Sequence, residues 1–201
     1  MIISTNNYDL LQPMYPLLIQ QFVDDYNLKE GFALDIGVGP GWLGLELSKI
    51  TDMEIVFFDI SQKALDQSKE NFKKANVDNR ASFIRGDVHS MSFRDDSFDF
   101  IMSRGSIWFW AFPEKALREV YRVLKPGGVA IVGGGLGRYL PSSMHKRLSQ
   151  ALKQGMDNRG ESRPSMLSFT SMVEASGIPD YRIMTDGASG TGRWIEIHKQ
   201  N

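Results

Sequence analysis

The 201-residue chain contains no cysteine, which excludes disulfides, thiolate metal sites and a cysteine nucleophile. It carries almost no net charge, −1 at pH 7, and this balance argues against a general binder of polyanions such as nucleic acids. No apolar run approaches the roughly 20 residues that a membrane-spanning helix needs. Residues 1–7 show no basic region followed by an apolar segment, so we expect no secretory signal and a location in the cytoplasm.

An apolar run that ends in an acid and a glycine-rich turn, residues 33–41, is the most informative stretch of the sequence. The run is typical of a buried parallel strand, and its glycines permit backbone angles that side chains forbid. Apolar residues at helical spacing follow directly, among them Leu43, Leu47 and Ile50. A strand, a glycine turn and a helix in this order form a nucleotide-sized ligand site at the carboxyl edge of an open α/β sheet.

The acid in this stretch, Asp35, restricts the kind of ligand. Residues 39–44 fit the dinucleotide fingerprint G-x-G-x-x-G, but a pyrophosphate on a helix N-terminus would be repelled by a carboxylate beside it. A cationic or zwitterionic ligand suits Asp35 better. The phosphate-binding pattern G-x-x-x-x-G-K-[ST] does not occur in the chain.

Strands and helices alternate along the chain, which indicates a mostly parallel sheet covered on both faces. The length fits one α/β domain. Ser61 is a candidate helix N-cap, and residues 125–128 are expected to form a turn that leads into the fifth strand. The predicted strands lie near residues 31–36, 54–58, 81–85, 98–103, 129–132, 181–185 and 193–198. The predicted helices lie near 8–28, 41–50, 61–74, 113–124 and, as one helix or a pair, 142–176.

Five ordered segments between residues 31 and 135 resemble the motifs of class I S-adenosylmethionine-dependent methyltransferases, in the small methyltransferase-domain group. They are residues 34–41, 57–61, 86–88, 97–101 and 124–128. The resemblance implies a Rossmann-like three-layer α/β sandwich with a seven-stranded, mostly parallel sheet whose last strand is antiparallel. It also implies S-adenosyl-L-methionine as the cofactor. We expect a single methyltransferase domain with a helical cap (1–30), a cofactor-binding core (31–135), and substrate-side helices and terminal strands (136–201).

The resemblance places the nucleoside of the cofactor along the carboxyl edge of the sheet. Asp59, at the end of the second strand, is expected to accept the ribose hydroxyls, with Ile60 flanking the adenine. The alternative for Asp59 is a helix N-cap. Asp87 is expected to receive the adenine amino group, while Val88 supplies backbone contacts to the ring. The alternative for Asp87 is an Asx turn with its own backbone.

The methionine portion is expected next to the glycine turn. Asp35 would interact with the amino end of the methionine, directly or through water. Gly37 and Gly39 would let the ligand approach the backbone, and Ser103 would contact the methionine portion from the end of the fourth strand.

Three side chains near this region have two possible roles each. Tyr15, with Tyr8, would close over the sulfonium or carboxylate of the cofactor, or would only pack as part of an amphipathic helix. Arg104 would clamp a carboxylate or phosphate, or would form an ion pair with an acid such as Asp99 or Glu114.

No catalytic residue and no metal site can be named. Methyl transfer from a sulfonium chiefly needs alignment of the reacting atoms, so no covalent residue is required. Many relatives carry histidines shortly after the fourth strand, but this chain has Ser-Ile-Trp-Phe-Trp at residues 106–110. His89 either faces the cofactor cleft or is a solvated loop residue.

The acceptor side is the least defined part of the sequence. The aromatic residues in 108–112 wall an acceptor pocket or pack a loop against the next helix. The glycine-rich segment 133–137 permits a hinge or a close backbone approach. The basic residues between 146 and 163 form a lid for an acidic acceptor or a solvated helical face.

We therefore expect a methyltransferase that acts on a small-molecule acceptor, without nucleic-acid or membrane partners. A catalytically silent module that binds S-adenosylmethionine and regulates a partner is the first alternative, because the histidines after the fourth strand are missing. An NAD-dependent oxidoreductase is the second, since Asp59 and the glycine turn also occur at that spacing in NAD-binding folds. The sequence does not identify the acceptor or the oligomeric state.

Overall fold

The computed structural model describes residues 10–158, 165–187 and 192–200. Strands and helices alternate through most of this part of the chain, with short 3₁₀ turns at Gln12–Met14 and Ile107–Phe109. The strands are β1 (Phe32–Ile36), β2 (Glu54–Asp59), β3 (Ala81–Arg85), β4 (Phe98–Arg104), β5 (Leu124–Gly134), β6 (Tyr181–Met184) and β7 (Arg193–His198). The α-helices are α1 (Tyr15–Tyr26), α2 (Trp42–Ile50), α3 (Gln62–Ala75), α4 (Pro113–Val123), α5 (Ser142–Asn158) and α6 (Met166–Ser176).

All seven strands join one sheet in the order β3-β2-β1-β4-β5-β7-β6. The pairs among β1 to β5 are parallel, whereas β7 lies between β5 and β6 and is antiparallel to both. The expected seven-stranded, mostly parallel sheet with an antiparallel last strand is therefore confirmed. Within the described ranges no helix is both long enough and apolar enough to cross a membrane.

Apolar residues on both faces of the sheet form two cores, which gives the three layers. One core contains side chains of α1, α2, α3 and α5, and the other contains side chains of α4 and α6. Successive residues of β1 alternate between the cores: Ala33 belongs to the first and Leu34 and Ile36 to the second. Asp35 consequently lies on the same face of the sheet as Ala33. Its carboxylate therefore points toward the helices that cover this face, and α2 is the one that it meets.

Local signals explain most of the element ends. Ser61 caps α3 as predicted, since its hydroxyl accepts a hydrogen bond from the Ala64 N–H at 3.4 Å. The prediction of a turn at residues 125–128 is wrong, because β5 already begins at Leu124, which pairs with Phe98 of β4. Gly127 and Gly128 then exchange backbone hydrogen bonds with Lys199 after β7.

Candidate functional site

The strand order of the sheet reverses between β1 and β4. On one side of β1 the sheet continues with β2 and β3, and on the other side it continues with β4 and β5. In open α/β sheets, ligands bind at the carboxyl ends of the strands next to such a switch point. The predicted residues Gly37, Asp59 and Ser103 lie at the ends of β1, β2 and β4. They therefore line one edge of the sheet.

The glycine turn after β1 is held to the end of β2 by its backbone N–H groups. The Gly37 N–H donates to the Phe58 carbonyl at 2.8 Å, and the Gly39 N–H donates to Asp59 Oδ2 at 3.3 Å. Gly37 and Gly39 have φ values of 71° and 51°, in the left-handed region that favours glycine. A Cβ on Gly37 would collide with the Cβ of Ser106. Position 37 thus needs glycine for its backbone angle and for space.

Asp35 lies in β1 directly before this turn and is 1% exposed. Its Oδ2 accepts a hydrogen bond from the Gly44 N–H at 3.0 Å. Burial raises the pKa of Asp35 to about 7, against the lowering effect of the Gly44 N–H, and the charge of Asp59 adds to the increase. A cation placed next to this carboxylate would favour its ionised form.

Asp59 connects the turn to the start of α3. Its Oδ1 accepts the Ser61 N–H at 2.8 Å, and its Oδ2 accepts the Gly39 N–H. The N-cap role considered for Asp59 is wrong, because Ser61 is the cap. The neighbouring Ile60 is 66% exposed, so an apolar side chain faces solvent beside the carboxylate.

Asp87 and Val88 follow β3, at the strand end next to Asp59. The Asx bond considered for Asp87 is present, since its Oδ1 accepts the His89 N–H at 2.9 Å. The same oxygen contacts His89 Nδ1 at 2.5 Å. Val88 is buried in the core cluster that includes Phe58. The interpretation of His89 as a solvated residue is wrong, because its side chain is only 16% exposed.

Ser103 is buried at the end of β4, with its hydroxyl 2.5 Å from that of Ser106. The Ser106 hydroxyl in turn donates to the Ile36 carbonyl at 3.4 Å. These contacts join the ends of β4 and β1 and hold Ser106 against Gly37. They lie at the part of the sheet edge where the methionine portion was predicted.

Tyr15 and Arg104 were considered separately in the sequence, and the structure brings them together. The guanidinium carbon of Arg104 lies 5.5 Å from the centroid of the Tyr15 ring, and Nε donates to the Gly135 carbonyl at 2.9 Å. Burial raises the pKa of the Tyr15 phenol. The charge of Arg104 lowers this pKa, and the charge of Asp35, a smaller effect, raises it. Tyr8 lies outside the described residues.

The ion pair considered for Arg104 is wrong for the described part of the chain. Asp99 is instead bound to Lys125 at 2.8 Å, and no described carboxylate lies within 4.0 Å of the Arg104 guanidinium. The guanidinium is therefore fixed in position but not neutralised by a described acid.

Asp186 organises the glycine-rich segment after β5, and no sequence pattern pointed to this residue. It is 5% exposed and accepts the Leu136 N–H at 2.7 Å, the Gly137 N–H at 3.1 Å and Trp194 Nε1–H at 2.9 Å. A Cβ on Gly135 would collide with the Asp186 carboxylate. The close approach predicted for the backbone of this segment is thus an approach to the Asp186 side chain of the same chain.

The aromatic side chains considered for the acceptor side differ in exposure, and the basic ones are exposed where the structure describes them. Trp108 packs against Phe169, with ring centroids 5.4 Å apart, whereas Phe109 and Phe112 are 52% and 61% exposed. Of the basic residues, Lys146 and Lys153 are exposed on α5. Those at 159 and 163 lie outside the described residues.

Comparisons with known proteins identify the family of the chain. The family described as a methyltransferase domain matches residues 34–132. A crystal structure from Methanococcus maripaludis, described as an S-adenosyl-L-methionine-dependent methyltransferase, has a TM-score of 0.82 and 31% identity. That match covers 96% of this chain and 88% of the other.

Two curated proteins resemble the core of the chain. Sterol 24-C-methyltransferase of Candida albicans is 35% identical over 104 residues. The 2-methyl-6-phytyl-1,4-hydroquinone methyltransferase 1 of Oryza sativa subsp. japonica is 38% identical over 105 residues. Each match covers 51% of this chain but only 28% and 30% of those proteins, so the chain spans less than a third of their length. The match to the Methanococcus maripaludis structure, in contrast, extends over nearly the whole chain and its sheet. The chain belongs to the class I S-adenosylmethionine-dependent methyltransferases.

Proposed function

We propose that this protein transfers a methyl group from S-adenosyl-L-methionine to a small-molecule acceptor. The observation that carries the proposal is Asp35, a buried carboxylate next to a glycine turn at the switch point of the sheet. An unpaired buried anion is costly. The donor carries an ammonium and a sulfonium group, either of which would offset this cost, and membership of the family supports the same donor.

The residues along the edge fit the nucleoside of this donor. We assign Asp59 to the ribose hydroxyls, because each carboxylate oxygen can accept a further hydrogen bond besides the one from Gly39 or Ser61. The exposed side chain of Ile60 offers an apolar surface for the adenine. We assign Asp87 to the adenine amino group and the backbone of Val88 to the ring.

The methionine end is assigned to the residues around the turn. Its proposed members are Asp35, Gly37, Gly39, Ser103 and Tyr15. We add Arg104, because Tyr15 and the Gly135 carbonyl hold a charged guanidinium beside this end of the site. A carboxylate is a natural partner for such a guanidinium, and the donor carries one on its methionine portion.

The bound donor supplies a methyl group on a positively charged sulfur. The contribution of the protein is then mainly alignment, which supplies about 7–11 kcal/mol in well-oriented reactions. The hydrogen-bonded glycine turn and the linked ends of β1 and β4 suit this task, since contacts within the chain already hold them in place. We assign no side chain as a general base.

The acceptor is proposed to enter beside the exposed rings of Phe109 and Phe112, next to the end of β4. By their names, the two curated relatives act on a sterol and on a hydroquinone, both apolar ring compounds. We propose a small acceptor with an apolar surface, and a location of the enzyme in the cytoplasm.

Calorimetric titration with S-adenosylhomocysteine tests donor binding, and formation of that product from the donor and candidate acceptors tests transfer. We expect binding by the wild type and at least about tenfold weaker binding by Asp59→Ala, because charged hydrogen bonds to the ribose are lost. Asp52→Ala, an exposed acid at the amino end of β2, is the matched control and should bind normally. Nicotinamide cofactor binding without binding of S-adenosylhomocysteine would refute the proposal. Binding without any product would indicate the silent module instead.

Asp35→Asn should stabilise the free protein while weakening the ligand complex. Because the pKa of Asp35 is raised to about 7, folding retains its proton between about pH 4 and 7, and the free energy of unfolding falls as pH rises through that window. The neutral amide avoids this loss, so the variant should be more stable than wild type at pH 8 by up to about 4 kcal/mol. Urea unfolding at pH 5 and 8 measures the difference. Equal stability at pH 8, or unchanged affinity for S-adenosylhomocysteine, would contradict the role of Asp35.

Arg104→Gln tests the carboxylate assignment. We expect this variant to bind S-adenosylhomocysteine about 10- to 100-fold more weakly, since a charge-assisted hydrogen bond is lost. Its affinity for 5′-methylthioadenosine, which lacks the carboxylate and the amino group, should stay within about twofold of wild type. An equal loss for both ligands would mean that Arg104 acts only through the structure of the site, and unchanged binding of both would remove it from the donor site.

A further inference from the structure

His89 connects two loops at the adenine end of the proposed site. It follows β3, two residues after Asp87, and its side chain is mostly buried. Nδ1 lies 2.5 Å from Asp87 Oδ1, and Nε2 accepts a hydrogen bond from the Phe112 N–H at 3.2 Å. Phe112 is the residue immediately before α4, so the imidazole bridges the loop after β3 and the start of that helix.

The partner at Nε2 determines the tautomer of His89. A backbone N–H only donates, so Nε2 must be unprotonated where it faces Phe112. The proton of the neutral imidazole is then on Nδ1 and points at Asp87 Oδ1. Both the His89 backbone N–H and the imidazole N–H donate to this one oxygen.

The two donors leave the carboxylate of Asp87 in a defined orientation. Oδ1 accepts both bonds, and no hydrogen bond from a described residue reaches Oδ2. These bonds, the backbone one first, hold the pKa of Asp87 below its usual range, so the group is an acceptor at neutral pH. The side chain is about half exposed, and Oδ2 is therefore available to a ligand.

We propose that His89 is a positioning residue that fixes Asp87 for recognition of the adenine amino group. The inference rests on the proposed function, in which Asp87 receives that amino group. A carboxylate held in one orientation accepts the amino group of adenine but meets the carbonyl oxygen of a 6-oxopurine with repulsion. A carboxylate free to rotate would adjust and accept the ring N–H of the 6-oxopurine instead. His89 thus sets base selectivity without touching the base.

Two substitutions separate the two hydrogen bonds of the imidazole. In His89→Asn the amide N–H₂ can replace Nδ1–H and keep the bond to Asp87, but nothing replaces Nε2. In His89→Gln the amide oxygen can replace Nε2 and keep the bond from Phe112, but the side-chain donor to Asp87 is lost, and the single backbone bond that remains lets the carboxylate rotate. Calorimetry with S-adenosylhomocysteine and S-inosylhomocysteine then gives an affinity ratio for each protein.

The expected ratio is at least about tenfold in favour of adenine for wild type, a value set by one charge-assisted hydrogen bond. His89→Asn should keep this ratio within about twofold, and His89→Gln should lower it to less than about threefold, close to the value of Asp87→Asn. Because both ligands are measured on one preparation, a smaller folded fraction changes both stoichiometries and not the ratio.

The opposite result, in which His89→Gln keeps the affinity ratio and His89→Asn loses it, would overturn the proposal. It would show that His89 only links the two loops. A normal ratio in Asp87→Asn would overturn it as well. A wild type that binds neither nucleoside would instead refute the proposed function, so the two failures are distinguishable.

Discussion

A buried carboxylate at the centre of the sheet is the constraint on which the rest of the site depends. Asp35 lies in β1, between β2 and β4, where water does not reach it. Among the described residues a single backbone donor, the Gly44 N–H, reaches its Oδ2, and burial still keeps its pKa near 7. The free protein therefore carries an electrostatic cost at this position. We propose that the cationic donor offsets that cost, which explains why an acid occupies the core.

The surroundings of Asp35 are built so that backbone can approach closely. Gly44 brings α2 against β2, since a Cβ there would lie 2.5 Å from Phe57 Cε1, and this approach places its N–H beside the carboxylate. The glycine turn after β1 is hydrogen-bonded to β2 through Gly37 and Gly39. Most of the polar groups of the proposed donor site are thus positioned by the fold before any ligand binds, as alignment chemistry requires.

Local patterns predicted much of this architecture. Strands such as β1 and helices such as α3 were located to within a few residues, because apolar periodicity and the Ser61 cap are properties of neighbouring residues. The antiparallel direction of the last strand came from the family resemblance and not from the residues themselves. The start of β5 was missed, since its pairing with β4 overrides the turn signal of proline and glycine.

The contacts that were not predicted join residues far apart in the chain. Asp186 binds the backbone of Leu136, 50 residues away, and His89 binds the backbone of Phe112, 23 residues away. A backbone N–H has no sequence signature, so no pattern could have named these partners. The ion pair considered as one of two roles for Arg104 is absent from the described residues for a related reason, because an aromatic ring and a carbonyl contact the guanidinium in place of an acid.

If the donor binds against the charge of Asp35, its binding releases protons from the protein. With its pKa near 7, Asp35 is about half protonated at pH 7 in the free protein, and a cation beside it would drive the remaining proton off. Titration with S-adenosyl-L-methionine, which carries both cationic groups, in two buffers of different ionisation enthalpy measures the protons released. We expect about half a proton more for wild type than for Asp35→Asn. Equal proton release by the two proteins would contradict it.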